Sequence, residues 1–564
     1  MSLEESRIVS KTERFDQRPN LTVLASSLIV VAVITLLTLE FPFGNDTAAH
    51  LYLTWSFIHH GFSVWDYLWY FGKIQYVGYS YTYYPIAAVF GVKAPAIVGL
   101  VAFDIFAVSS LNSKMQSRQR WLGACIIGVS LGSLIQTGAY PFLTSLASLA
   151  LGFRSYFRGN TISAAFWSFV SIATSPLQLV SLGFMVAFKI FITIYEVDCP
   201  GFNRVFHRVI VGLKTFFSTP ANAVLFIEII LLTGYVEIIQ LYFGIGGLYP
   251  FYFSDLAMLL GGLALILIFG VVGTDSRIRF ALYWLSLIYG CLAIVLFVIK
   301  SDVGGNIARI GEFAPTIAVY VWSYSKKIIV RPMAPKADVS RRRKTWIFVV
   351  LLAYSLAWLS NFVEAPLFDP SQGTLTTSST WKGLTNYLDL HYRGLRIEYV
   401  DSLLHEGAYF LPIAGVPIAR GWFRQSDFPQ NEIFYKKSFS AVVYQKWLCN
   451  GQIAAVVLPP APYDYSSTQE AKNVANSEIN VLSRPVQVGV FKVYPVSGCP
   501  EMPFQIENIS RNRVQVRFDR SGTFVLPLTY SRFSRARFGR IDAPVLGRLV
   551  LTVAHGGMDV IQTL

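Results

Sequence analysis

Apolar residues come in long runs over the first two-thirds of the chain and in short alternating runs over the last third. Each long run approaches the ~20 residues that a helix needs to cross a bilayer. They predict eleven transmembrane helices, at roughly 21–41, 86–108, 121–136, 139–153, 161–175, 177–195, 219–242, 255–273, 279–299, 308–325 and 345–361. Runs three to six are short, which leaves re-entrant or interfacial segments open there. Residues 1–20 are polar, and the run from Leu21 to Phe41 is long enough to stay as an anchor, so a cleaved signal peptide is not expected.

Beyond residue 361 the pattern changes. Turn clusters separate β-rich runs at 453–458, 486–491 and 514–518, with helical stretches near 381–390 and 441–448. The organisation expected is a cytoplasmic N-terminus (1–20), a transmembrane domain (21–361) with a first external loop (42–85), an α+β domain (362–501) and a β-rich basic module (502–564).

Composition agrees with a polytopic α-helical membrane protein: 53% of the 564 residues are hydrophobic and 14% charged, against about 25% charged in soluble domains. The net charge of +14 is distributed by topology. With the N-terminus in the cytoplasm, the cytoplasmic segments up to Lys344 hold 22 Lys and Arg, and the opposite loops hold only Lys73 and Lys300. That asymmetry follows the positive-inside rule. An odd number of spans then places the tail outside the cell membrane. No P-loop, nucleotide fingerprint or complete hydrolase motif is present, and nucleic acid is not an expected partner.

The loop between the first two spans concentrates the chemistry. It contains Asp46 and His50, the pair His59-His60, then Trp65-Asp66, Trp69-Tyr70 and Tyr83-Tyr84-Pro85. Residues 47–60 lack Gly and Pro, and Gly61 is a plausible stop, so an interfacial helix is expected there. Asp46 and His50 lie four residues apart and share a face. Asp46 suits either a helix cap or a general base with His50 beside it, and it leaves room for a divalent cation. The aromatics suit either a belt at the lipid headgroups or a sugar-stacking platform.

This loop resembles the first external loop of GT-C membrane glycosyltransferases. The matching features are an acid just after the first span, a His four residues on, a helix, a Trp-Asp pair, a Trp-Tyr element and a Tyr-Pro. It is most similar to the actinobacterial branch of integral membrane proteins related to 6-pyruvoyl-tetrahydropterin synthase. That branch also looks similar at Gly305-Asn306-Ile307-Ala308-Arg309, at Ala419-Arg420-Gly421-Trp422-Phe423-Arg424-Gln425 and at 459–465. The resemblance implies a polyprenyl-phosphate sugar donor and transfer on the external face, with Asp46 as the catalytic carboxylate. Its neighbours are Asn45 and Thr47, so a second acid has to come from Asp66 or elsewhere.

Arg309 and Lys300, on the same expected face, suit the phosphate of a lipid-linked donor, since Arg offers a bidentate fork. Arg309 equally suits an ion pair with Glu312 or Asp302. The expected site is therefore Asp46 and His50 as catalytic residues, with Lys300, Asn306, Arg309, Trp65, Asp66 and Tyr84 binding substrate and the metal ligands unassigned. The expected partners are membrane lipid, a lipid-linked sugar and an envelope glycan, lipid or protein acceptor. Glu228 and Glu237, inside one span, keep a transporter or flippase reading open; a non-catalytic scaffold is a third. Cys449 and Cys499 fall in the tail, where either a disulfide or two thiols is open. Nine arginines between 511 and 548 suit anionic lipid, wall polymer or plain solvation.

Overall fold

The structure, a computed structural model, describes residues 20–39, 44, 46–74, 80–111, 115–197, 204–243, 248–270, 276–301, 303–323, 346–358, 374–436, 438–476 and 479–563. Asn45, Tyr79, Cys199, Asp302 and the basic segment 326–344 lie outside the described residues. The chain forms two compact units. One holds residues 1–40, 93–238 and 249–364, and the other holds 41–92, 239–248 and 365–564.

The first unit is helical. Gln178–Glu196, Pro220–Ile239 and Ser276–Val298 are long and apolar enough to cross a membrane. Leu21–Leu37, Thr161–Thr174, Phe253–Ile268 and Trp346–Trp358 are apolar but shorter. The run expected as one span at 86–108 is interrupted: a helix Tyr83–Phe90 ends at Gly91, which takes φ +79°, and Ala94–Ser109 begins afresh with Pro95 in its first turn. The run at 308–325 is likewise split into Arg309–Glu312 and Ala314–Ser323. A helix at Arg204–Ser218 was not expected, because three basic residues obscure its stripe of Val209, Leu213 and Phe216.

Small residues let these helices approach closely, as suits packing in lipid. A Cβ at Gly99 would sit 2.0 Å from the Leu143 carbonyl oxygen, and one at Gly128 would sit 2.8 Å from that of Ser27. The Ser27 hydroxyl donates to Asp104 Oδ1 over 2.6 Å between two buried helix faces.

The second unit joins the first loop to the tail. Strands β1 (Trp65–Asp66) and β2 (Lys73–Ile74) form a short antiparallel ladder. The α+β part is a sheet of order β3-β4-β6-β5, from β3 (Ile397–Tyr399), β4 (Ala455–Leu458), β5 (Val486–Val488) and β6 (Phe491–Pro495); β3 is parallel to β4. Helices Ser378–Tyr392 and Ala441–Asn450 carry buried residues of its two apolar clusters. The last part has two sheets, built from β7 (Phe504–Ser510), β8 (Arg513–Phe518), β9 (Gly522–Thr529), β10 (Ser534–Ala536), β11 (Arg540–Val545), β12 (Arg548–Val553) and β13 (Gly557–Thr563). Their orders are β10-β13-β8-β7 and β11-β12-β9. In β8 the apolar Val514, Val516 and Phe518 point into the shared core while Arg513, Gln515 and Arg517 alternate with them on the other face, the period-two pattern of a half-buried sheet.

Loop and tail are held together by bonds neither could make alone. The Tyr67 amide donates to the Arg511 carbonyl over 2.7 Å, and the Ile418 amide to that of Leu68 over 2.9 Å. The Trp69 indole donates to the Ala408 carbonyl over 2.8 Å. Trp69, Tyr70, Tyr83 and Tyr84 are all at most 1% exposed. They are therefore core residues rather than a headgroup belt, each ring removing roughly 150–250 Å² of surface from water. Loop and tail thus form one folded unit. Cys449 and Cys499 are joined by a disulfide spanning 50 residues.

Candidate functional site

Asp46 stands at the N-cap of the helix Thr47–His60, yet its side chain makes no capping bond. The Thr47 hydroxyl instead takes the Gly44 amide, over 2.8 Å. The half-buried Asp46 carboxylate turns to the tail, where Trp422 Nε1 donates to Oδ1 over 2.9 Å. The helix-cap role expected of Asp46 therefore gives way to a tertiary contact.

Trp422 is itself held. The His405 ring stacks on it with centroids 3.9 Å apart and planes 22° from parallel. His405 Nδ1 lies 2.6 Å from Asp401 Oδ2, and both side chains are nearly or fully buried. His405 takes φ +59°, a conformation uncommon for a non-glycine residue, in the turn ahead of Gly407–Ile413. Asp401, His405, Trp422 and Asp46 thus form a continuous chain from the α+β domain to the first loop. His405 and Asp401 carried no signal in the sequence beyond their four-residue spacing, which here falls in a turn rather than on a helix.

One turn into the loop helix, His50 is fully buried, with Nδ1 3.3 Å from the Tyr84 hydroxyl and its ring edge-on to Tyr83. The structure therefore unites Asp46, His50 and Tyr84 on one end of this helix and its neighbour. Trp65 and Asp66, expected to bind substrate, take structural places. Trp65 is buried in the β-sandwich core. Asp66 is 0% exposed and accepts the Tyr52 hydroxyl (2.5 Å) and the Leu68 amide (2.8 Å), so it is no second acid for Asp46 to share a ligand with. Burial raises its carboxyl above the usual range, with Arg511 opposing.

Lys73, opposite Asp66 in the β1–β2 ladder, projects into aromatic rings. Its Nζ sits 3.7 Å from the Phe423 centroid, 4.8 Å from Trp69 and 5.7 Å from Tyr70. Burial pushes this amine down to about 7, against the pull of Asp66 and Asp427. A deeper group is buried: Arg420 bonds Glu398 (2.8 Å) and Glu470 (2.6 Å), and Tyr444 donates to Glu470 (2.6 Å). Burial and mutual repulsion hold the Glu398 carboxyl well above its ordinary range.

Lys300, Asn306 and Arg309 belong to the helical unit. Lys300 is exposed. Arg309 and Asn306 line one cleft with Phe142, Leu177 and Phe313, and the guanidinium lies 5.4 Å from the Phe142 centroid. Gly304 takes φ +43° and a Cβ there would meet the Tyr249 carbonyl oxygen at 2.1 Å, so this glycine serves a close backbone approach. Glu228 is half-buried and Glu237 exposed along Pro220–Phe243. Among the described residues, no three His, Cys, Asp or Glu side chains are grouped to hold a metal ion.

No family profile matches the sequence, and no curated protein does. Solved structures are similar. One is the cryo-EM structure of arabinofuranosyltransferase AftD from Mycobacteria, at 15% identity and TM-score 0.42, covering 88% of this chain and 41% of that one. Another is the apo crystal structure of the Archaeoglobus fulgidus oligosaccharyltransferase, at 12% identity and TM-score 0.44, covering 78% of this chain and 69% of that one. The chain thus spans less than half the length of that arabinofuranosyltransferase.

Proposed function

We propose that the protein is a membrane glycosyltransferase of GT-C type that transfers a sugar from a polyprenyl phosphate to a cell-envelope acceptor on the external face. The observation that carries this reading is the Asp46 carboxylate. It is released from helix capping and held in a half-buried position by Trp422. A fixed, partly desolvated carboxylate is suited to accept a hydroxyl proton. The first-loop pattern that resembles GT-C enzymes supports the same role.

In the proposed reaction Asp46 takes the proton of the acceptor hydroxyl. The acceptor oxygen bonds to the anomeric carbon, and the bond from that carbon to the phosphate oxygen breaks, releasing polyprenyl phosphate. Negative charge collects on the leaving phosphate oxygen, where a cationic side chain is needed to neutralise it. The role proposed for His50, hydrogen-bonded to Tyr84, is to set the orientation of the helix that carries Asp46.

The test is purified protein given radiolabelled polyprenyl-phosphate sugars and envelope extract, comparing wild type with Asp46→Asn. Transfer is expected from wild type and a loss of about a hundredfold or more from the variant. Undiminished transfer by Asp46→Asn sinks the base role. No transfer from any donor, with labelled lipid crossing vesicles instead, replaces the enzyme with a transporter.

A further inference from the structure

The arginines of the terminal module are not scattered. Strand register gathers four of them on the outer face of the β10-β13-β8-β7 sheet. Arg535 pairs with Gln562, and Gln562 pairs with Arg513, so these three side chains form one row across three strands. The Arg537 amide bonds the Val560 carbonyl, and Val560 pairs with Gln515, which makes the next row. Arg517 follows on the same face of β8. Arg513, Arg517, Arg535, Arg537 and Gln562 are exposed and Gln515 is half-exposed, while the residues between them along each strand are buried or half-buried. Strands lie ~4.8 Å apart and alternate residues ~6.8 Å apart, so the backbones of Arg513 and Arg535, with Gln562 between them, are roughly 10 Å apart, and those of Arg535 and Arg537 roughly 7 Å.

The face has one counter-charge. Glu507, at the bulge of β7, takes the Arg517 guanidinium over 2.8 Å. Among the described residues, the guanidinium groups of Arg513, Arg535 and Arg537 have no acidic partner. Planar guanidinium forks match carboxylate, sulfate or phosphate oxygens, and an amide offers one donor and one acceptor edge to a pair of sugar hydroxyls. The open sheet face has no wall to enclose a monomer, and its middle strand presents Gln562 together with the half-buried Val560 and the exposed Met558.

We propose that this face binds an acidic polysaccharide, with the arginines on its anionic groups and Gln562 and Gln515 on its hydroxyls. The binding is independent of the Asp46 chemistry, so an Asp46→Asn protein is expected to bind equally well.

The experiment uses the full-length protein in phosphatidylcholine nanodiscs, with binding read by interferometry at 50 and 300 mM salt. The probes are polygalacturonate, neutral pullulan and vesicles containing phosphatidylglycerol. Wild type is expected to bind polygalacturonate, more weakly at the higher salt, and not pullulan. The double variant Arg513→Gln, Arg535→Gln is expected to lose about tenfold in affinity with its melting temperature unchanged. A control, Arg520→Gln with Arg540→Gln, removes the same charge from elsewhere on the module and is expected to bind as wild type. If the double variant melts early, the two single variants are compared instead, each expected to lose part of the affinity. Equal loss in the control, wild-type binding by the face variants, equal binding of pullulan, or binding of the anionic vesicles without polygalacturonate each overturns the proposal.

Discussion

Trp422 donates its indole N–H to the Asp46 carboxylate over 2.9 Å, although 376 positions separate the two residues. Behind it, His405 and Asp401 fix the indole plane. Trp422→Phe keeps a ring against His405 and removes the donor. A hydrogen bond to a charged group contributes ~1.5–3 kcal/mol, so kcat for sugar transfer is expected to fall about tenfold to a hundredfold. KM for the donor should stay within about twofold, since the bond orients the base rather than the substrate. An unchanged kcat in a folded variant leaves this contact with a structural role only.

Arg420 lies between two buried carboxylates, Glu398 and Glu470. Removing it strands both, and breaking a buried pair costs ~3–5 kcal/mol. Arg420→Met is therefore expected to lower the melting temperature sharply in detergent. Replacing the whole group, with Glu398→Leu and Glu470→Leu added, should recover most of the loss, because the uncompensated charges are gone. Equal melting of single and triple variants argues against a charge-based cost.

Glu406 gives a pH dependence with a definite sign. It is buried, accepts the Ser402 hydroxyl over 2.5 Å, and burial pushes its carboxyl from 4.5 up to about 7. The folded state therefore holds a proton that the unfolded state releases near 4.5. Stability from this group is full below that value and is lost as pH rises through about 7, amounting to about 3 kcal/mol. Lys73 acts oppositely, in a higher window: its folded value of about 7 lies below the unfolded 10.5, so its contribution grows as pH rises beyond 7. Glu406→Gln keeps an acceptor for Ser402 and is expected to melt higher than wild type at pH 8, with a smaller difference between pH 5 and pH 7.5. An unaltered pH profile assigns the dependence to other groups.

The helical unit and the β-rich tail were legible because their hydrophobic periods differ, ~20-residue runs against alternation in stretches such as Arg513–Phe518. The breaks at Gly91 and Phe313 were not, since the runs are mainly apolar on both sides of them, although Pro95 and Pro315 follow close behind and suit the first turn of a new helix. Asp46 was legible as the residue of interest, but its partner was not. Trp422 stood in a motif without a role, and His405 and Asp401 meet it only through a turn. Trp65, Trp69 and Tyr70 looked like a lipid-facing belt because nothing local reveals that the tail folds over them; their burial is a long-range consequence of Ala408, Ile418 and the β-sandwich core.

The Cys449–Cys499 bridge tests both stability and side of the membrane. It closes a loop of 50 residues, which on chain-entropy grounds stabilises the fold by about 4 kcal/mol. Cys449→Ala with Cys499→Ala is expected to lower the melting temperature relative to wild type, and a reducing agent should lower wild type toward the variant without moving the variant. A bridge of this kind persists outside the cytoplasm, which gives the charge-derived topology a direct check. In a protein whose Cys125, Cys199 and Cys291 are replaced by Ser, intact cells should show no labelling by an impermeant maleimide until an impermeant reductant is added, and two labelled thiols afterwards. Labelling that requires permeabilised cells puts the tail in the cytoplasm. The first loop, which folds with it through Trp69 and Ala408, would follow, and external-face transfer would fall.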